Sequence, residues 1–99
     1  MNRVVLVGFV SDKPFRPGGG PRAVVKIRAR NYNDREEGLE FDAFGQTAVY
    51  AQQLRVGDRI AIDGRLENRV YTQDGDEVNE IRCVADRIEL VAGGDVLRL

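Results

Sequence analysis

A small all-β barrel of five strands with one short helix is the fold class this sequence predicts, on three observations. Five stretches are apolar or alternating over strand length, and a single helical periodicity falls between the third and the fourth. Glycine, proline and Asp-Gly breakers stand at the joints between these stretches. A length of 99 residues suits one domain with one core, so residues 1–99 are read as a single unit.

NRVVLVGFV, residues 2–10, is an apolar, β-branched run bounded by Ser11-Asp12 and predicts a strand buried on both faces. RPGGGPR, residues 16–22, is the strongest breaker in the chain and predicts a flexible loop. From Ala23 to Tyr32 the pattern alternates: Val25, Ile27 and Ala29 take one face, and Lys26, Arg28, Arg30 and Tyr32 the other. NDREEG, residues 33–38, is a polar turn, after which LEFDAF, residues 39–44, turns Leu39, Phe41 and Ala43 inward and Glu40, Asp42 and Phe44 outward.

In QTAVYAQQLRVG, residues 46–57, Thr47, Tyr50, Ala51 and Leu54 fall at i, i+3, i+4 and i+7, and Gly57 follows as a stop signal; this is the one short helix. RIAIDGRLENRVY, residues 59–71, is a long alternating strand with Ile60, Ile62, Leu66 and Val70 on one face. Gly64 shares that face and marks a bulge or a sharp bend. TQDGDE, residues 72–77, forms the hairpin tip, and EIRCVADRIELV, residues 80–91, is the returning strand. The order β-β-β-α-β-β matches the five-stranded Greek-key barrel called the oligonucleotide/oligosaccharide-binding (OB) fold, although another small five-stranded barrel satisfies the same pattern.

Composition narrows the function. No segment approaches the ~20 apolar residues of a membrane span, and the N-terminus lacks the parts of a signal peptide, so the chain reads as cytoplasmic and makes no membrane contact. Cys83 is the only cysteine and there is no histidine, which excludes an internal disulfide and zinc sites built on Cys and His. No metal and no cofactor is expected. Without histidine the usual base near neutral pH is missing, and no nucleophile stands with a base, so catalysis is not expected either. The pairs Glu40 with Asp42 and Asp74 with Asp76 read as ordinary strand-face and turn residues. The glycines at 18–20 lead through Pro21-Arg22 into a strand, not through Gly-Lys-Ser/Thr into a helix, so they do not form a phosphate loop.

The remaining constellation is basic and aromatic. Lys26, Arg28, Arg30 and Tyr32 stand on the second strand, Phe44 on the third, and Arg65, Arg69 and Tyr71 on the fourth. The net charge is −1, so any attraction to nucleic acid must come from the placement of charges. For the basic run alone, a solvated face explains the pattern about as well as a binding face. Cations interleaved with rings on neighbouring strands, however, are what sequence-tolerant binding of single strands requires.

These stretches also resemble a known family. MNRVVLVG at the start, FDAFGQTA at 41–48, VGDRIAIDGRLENRVY at 56–71 and VADRIEL at 84–90 are similar, in order, to the bacterial single-stranded DNA-binding proteins of replication, recombination and repair. The resemblance implies an OB fold, binding of single-stranded DNA in the cytoplasm at the nucleoid, and assembly through the first strand into a homodimer or homotetramer. It also implies stacking of bases on Phe44, Tyr71 and Tyr32, and cations against phosphates at Arg3, Arg16, Lys26 and Arg65.

Departures from the family pattern accompany it. Gly38 or Leu39 stands where a further stacking aromatic is usual, and Glu40 and Asp42 place negative charge on the expected DNA face, which predicts weaker binding. The loop after the first strand is shortened and the helix is about one residue short. The acidic-aromatic tail that recruits replication and repair proteins in the family has no counterpart before Leu99, as expected of a binding core cut from a longer chain or of a tailless relative. The primosomal replication protein N family, on the same fold, is the related alternative. It implies an assembly factor acting mainly through protein contacts.

Overall fold

The computed structural model describes residues 1–31 and 33–92, and the five strands and one helix occur in the expected order. They are β1 (Val4–Val10), β2 (Ala23–Arg30), β3 (Glu36–Ala43), α1 (Gly45–Ala51), β4 (Arg59–Gln73) and β5 (Asp76–Ala92). The strands close into a barrel in the order β1-β2-β3-β5-β4, with β1 pairing both β2 and β4 and a parallel contact of Asp42 with Val84 completing the circle. Closure removes most of the open edges that a five-stranded sheet would otherwise present.

Inward residues from every strand meet in one core. Val10, Val25, Ile27, Phe41, Ile60 and Ile62 are its largest fully buried apolar members, and Ala48, Ala51 and Leu54 cap one end. Burial of each large side chain stabilises the fold by about 1.5–3 kcal/mol. The inward face of β2 is as expected, and β3 starts at Glu36 instead of Leu39 because the ladder opposite β2 extends to Arg30. Along that ladder Lys26 faces Glu40 and Arg30 faces Glu36, opposite charges that favour the longer pairing.

Three expectations are corrected here. β1 is buried on one face only: Val5, Val7 and Phe9 point outward and are about half exposed or more, because the barrel has a single interior. Of the expected helix face Ala51 and Leu54 are buried, but Tyr50 is exposed and Ala48 takes its place, and the helix ends at Ala51, before Leu54. The segment 16–22 is not a free loop. It contains a 3-10 turn at Pro17–Gly19, and Arg16 binds it to Gln52 Oε1 at 2.8 Å and to the carbonyls of Gly20 and Pro21.

Gly64 shows why β4 and β5 leave the barrel. A Cβ at this position would lie 2.2 Å from the carbonyl oxygen of Val84, so the strands approach closely there, and the pairing register shifts between Asp63 and Gly64. Beyond Gly64 the ladder partner of β4 is β5, and the two run out as an arm that gives the molecule a long dimension of 54 Å. Asn2 braces the root of the arm, its side-chain amide donating to the carbonyl of Leu66 at 2.7 Å and accepting the Leu66 N–H at 2.9 Å. Leu66 and Val70, expected on the same face as Ile60 and Ile62, are exposed because the arm projects past the core. The tip is a two-residue turn with positive φ at Asp74 (53°) and Gly75 (83°), the type I′ geometry that suits the strand twist.

Candidate nucleic-acid interface

Where β3 ends, the arm of β4 and β5 meets the outer surface of the barrel, and the charges there are organised by one carboxylate. Asp42 is outward on β3, yet it is fully buried, because three arginines close over it. Arg82 on β5 binds it with both faces of its fork, Nη2 at 2.7 Å and Nε at 3.1 Å. Arg22, just before β2, and Arg69 on β4 each reach it at 3.1 Å. Arg82 also donates to Glu40 at 2.7 Å. Burial alone would raise the Asp42 carboxyl, but the hydrogen bonds from Arg82 and the charges of Arg82, Arg22 and Arg69 outweigh it and hold it below the ordinary carboxylate range.

This corrects the expectation of an acidic surface at 40 and 42. Asp42 is not presented to solvent; it is the internal counter-ion of three arginines, and Glu40 and Glu80 are bonded to the same Arg82. A consequence is that Arg69 is held with its guanidinium 5.7 Å from the centre of the Phe44 ring, within cation–π range. Phe44 is not the last residue of β3 but the N-cap position of α1, with extended backbone, and its ring is 39% exposed. Tyr71 lies farther out on the same arm, opposite Val78 and 43% exposed.

The other anticipated cations divide. Arg3 is bonded to Asp63 through Nη2 at 2.7 Å and Nε at 3.1 Å. That hydrogen bond, before any other effect, holds the Asp63 carboxyl low. Arg65 is bonded to Glu67 at 3.0 Å and to Asp86. Arg16 is occupied by the 3-10 turn and Gln52, and Arg30 by Asp34 at 2.9 Å. Lys26 stands 5.9 Å from the ring centre of Phe15, and Arg28 has no carboxylate within 4 Å among the described residues. Tyr32 lies outside the described residues.

Structure thus brings Phe44 and Arg69 together, Arg69 sharing Asp42 with Arg22 and Arg82, and sets Tyr71 on the same arm, while Arg3, Arg16, Arg30 and Arg65 are engaged with other groups of the protein. Arg22 and Arg82 were missed from sequence. Their signal was faint: Arg22 stands in phase with Lys26, Arg28 and Arg30 but outside the strand, and Arg82 is two residues from Glu80. Phe15, a lone aromatic between Pro14 and Arg16, was the clearer omission. Among the described residues no cluster of His, Cys, Asp and Glu is arranged to hold a metal ion. Burial pushes the Cys83 thiol up, away from the reactive thiolate. No helix among the described residues is long and apolar enough to cross a membrane.

Comparison with known proteins gives a consistent result. The family model described as "Single-strand binding protein family" matches residues 1–91. The single-stranded DNA-binding protein of Deinococcus radiodurans is 31% identical over 95% of this chain and 35% of its own. That of Thermus aquaticus is 31% identical over 90% of this chain and 37% of its own, and that of Aquifex aeolicus 25% identical over 92% and 70%. The chain therefore spans little more than a third of the Deinococcus and Thermus relatives. Among solved structures, the yeast mitochondrial single-stranded DNA-binding protein Rim1 superposes with a TM-score of 0.69, covering 93% of this chain and 96% of that one at 15% identity, a likeness of fold.

Proposed function

Because the chain belongs to the single-strand binding protein family, we propose that it binds single-stranded DNA without sequence preference and without catalysis, in replication, recombination and repair. The observation that supports this best is the exposed Phe44 ring with Arg69 beside it, at the root of an arm that also carries Tyr71. A base stacks on Phe44, the guanidinium beside the ring neutralises a neighbouring phosphate, and Tyr71 offers a second ring farther along the strand. Stacking of this kind contributes about 1–3 kcal/mol per base and does not depend on which base is present. Lys26 and Arg28 extend the electrostatic path over β2, residues 1–99 act as one binding domain, and the setting is the cytoplasm at the nucleoid.

The chain assembles with itself through β1 in this reading. Val5 and Val7 are 60% and 47% exposed on its outer face, beside the apolar Ala61, and a second copy is the partner that such a strand suits. Contacts with replication and repair proteins are secondary here, since the buried Asp42 removes much of the acidic surface that would favour an assembly factor.

The test is a fluorescence-anisotropy titration of labelled oligo-dT against a duplex of equal length at two salt concentrations. Saturable binding to the single strand alone, weakening with salt by about 0.7 in log K per log salt for each neutralised phosphate, is the expected result. Equal binding to duplex, or no binding at micromolar protein, refutes the proposal. Sedimentation of Val7→Lys checks the assembly, which is refuted if this variant sediments as the wild type does.

A further inference from the structure

The outer face of the barrel holds a second ring in a cationic setting, away from Phe44. Phe9 on β1 is paired in register with Arg28 on β2 and with Arg59 on β4, so the three side chains form one row across three strands. The Arg59 guanidinium lies 6.0 Å from the centre of the Phe9 ring, which is 46% exposed. Among the described residues neither Arg28 nor Arg59 has a carboxylate within 4 Å. The pairing on β3 sharpens the contrast: Lys26 faces Glu40 and Arg30 faces Glu36, whereas Arg28 faces Gly38, beside which a Cβ would meet nothing within 4 Å. A groove of about 410 Å³ opens over the row, with Glu36 its single carboxylate and with Val7, the end of the face assigned above to self-assembly, along one edge. A neighbouring groove shares Arg28 and continues along Lys26 and Gly38, with the carboxylates of Asp12 and Glu40 in its lining, in the direction of the Phe44 end of β3.

We propose that the Arg28–Phe9–Arg59 row is an additional binding site for single-stranded DNA, in which a base stacks on Phe9 and the two guanidiniums take the phosphates on either side of it. This rests on the function proposed above, since the strand that reaches the row is the one held at Phe44. Two guanidiniums with no carboxylate partner among the described residues, flanking an exposed ring, attract a polyanion carrying flat apolar groups, and the groove has the size of a small-ligand cleft. An aliphatic peptide would leave both charges unpaired, and duplex DNA, its bases already stacked, would offer none to the ring.

The chain contains no tryptophan, so Phe9→Trp introduces a single reporter at the ring position. Its fluorescence is expected to be quenched by oligo-dT, and Phe9→Ala to bind oligo-dT about 5- to 150-fold more weakly at unchanged sedimentation. Arg28→Gln and Arg59→Gln should each reduce the salt slope by about 0.7. Absence of quenching together with wild-type affinity in Phe9→Ala overturns the site. So does an affinity loss that appears only as the oligomer dissociates, which would make Phe9 a subunit contact. Wild-type protein that fails to bind oligo-dT overturns the proposed function and this site together; wild-type protein that binds, with neutral Phe9, Arg28 and Arg59 variants, overturns this site alone.

Discussion

Replacing Asp42 with asparagine tests whether one buried carboxylate holds the arm against the barrel. The side chain keeps its shape, one carbonyl oxygen still accepts, and the negative charge is gone. Arg82 suffers most, because its side chain is only 12% exposed and it loses the charged partner of two short hydrogen bonds. Arg22 and Arg69 are about one-third exposed and regain water, so each contributes little. Breaking a buried pair on one side costs about 3–5 kcal/mol, and retention of Glu40 beside Arg82 places the expectation at the lower end, ~3 kcal/mol. For a domain of this size that lowers Tm by roughly 12–24 °C. Urea denaturation at pH 7 followed by circular dichroism measures it. The pH dependence gives an independent reading. The folded-state pKa of Asp42 is depressed, so its stabilisation is fully present above the unfolded value near 3.9 and is lost as pH falls through the folded pKa. The gap between wild type and Asp42→Asn must therefore narrow as pH falls below about 4. A variant within ~1 kcal/mol of wild type at pH 7, or a gap that stays constant into acid, refutes the account, ~1 kcal/mol being the scale of an exposed pair.

Phe44→Ala and Tyr71→Ala should each weaken oligo-dT binding by about 1–3 kcal/mol with little change in melting, because both rings are substantially exposed; anisotropy and calorimetry on the same samples check both halves. Gly64→Ala forces a methyl group to within 2.2 Å of the Val84 carbonyl oxygen and should cost at least about 1–3 kcal/mol in urea denaturation, whereas Gly38→Ala, in open space, should not. Arg3→Gln should leave the salt slope of binding nearly unchanged, since Arg3 is already matched by Asp63; a fall of about 0.7 would show that it meets a phosphate.

Strand number, helix position, the Asp-Gly tip and the Gly64 irregularity were legible in the sequence because each has a local physical signature: period two, period 3.6, a turn that demands positive φ, or a missing Cβ. Faces were legible only where the barrel backs the strand. Leu66 and Val70 continue the inward pattern of Ile60 and Ile62, yet they lie on an arm with no core beneath it, and alternation cannot say where a barrel stops. Val5 and Val7 fail for the complementary reason, since an outward apolar residue on β1 reads like a buried one until its neighbours are known. Asp42 was misjudged because its partners are 20, 27 and 40 residues away in sequence, at Arg22, Arg69 and Arg82.

The three cations of β2, Lys26, Arg28 and Arg30, show how pairing decides what a charged strand face does. Read along β2, Lys26, Arg28 and Arg30 are equivalent; read across to β3, two of them face glutamates and the middle one faces a glycine. Lys26 turns instead to the Phe15 ring, Arg30 to Asp34, and Arg28 stands beside Phe9 with no carboxylate partner among the described residues. The other arginines divide differently: Arg3 and Arg65 are matched by exposed carboxylates, Arg69 shares the buried Asp42 with two further arginines while lying against the Phe44 ring, and Arg59 is set against the Phe9 ring. In a chain whose net charge is −1, affinity for a polyanion cannot depend on the number of cations. It depends on which cations the fold leaves facing an aromatic surface, and that places Arg69 with Phe44 and Arg59 with Phe9 ahead of the longer list that sequence alone suggests.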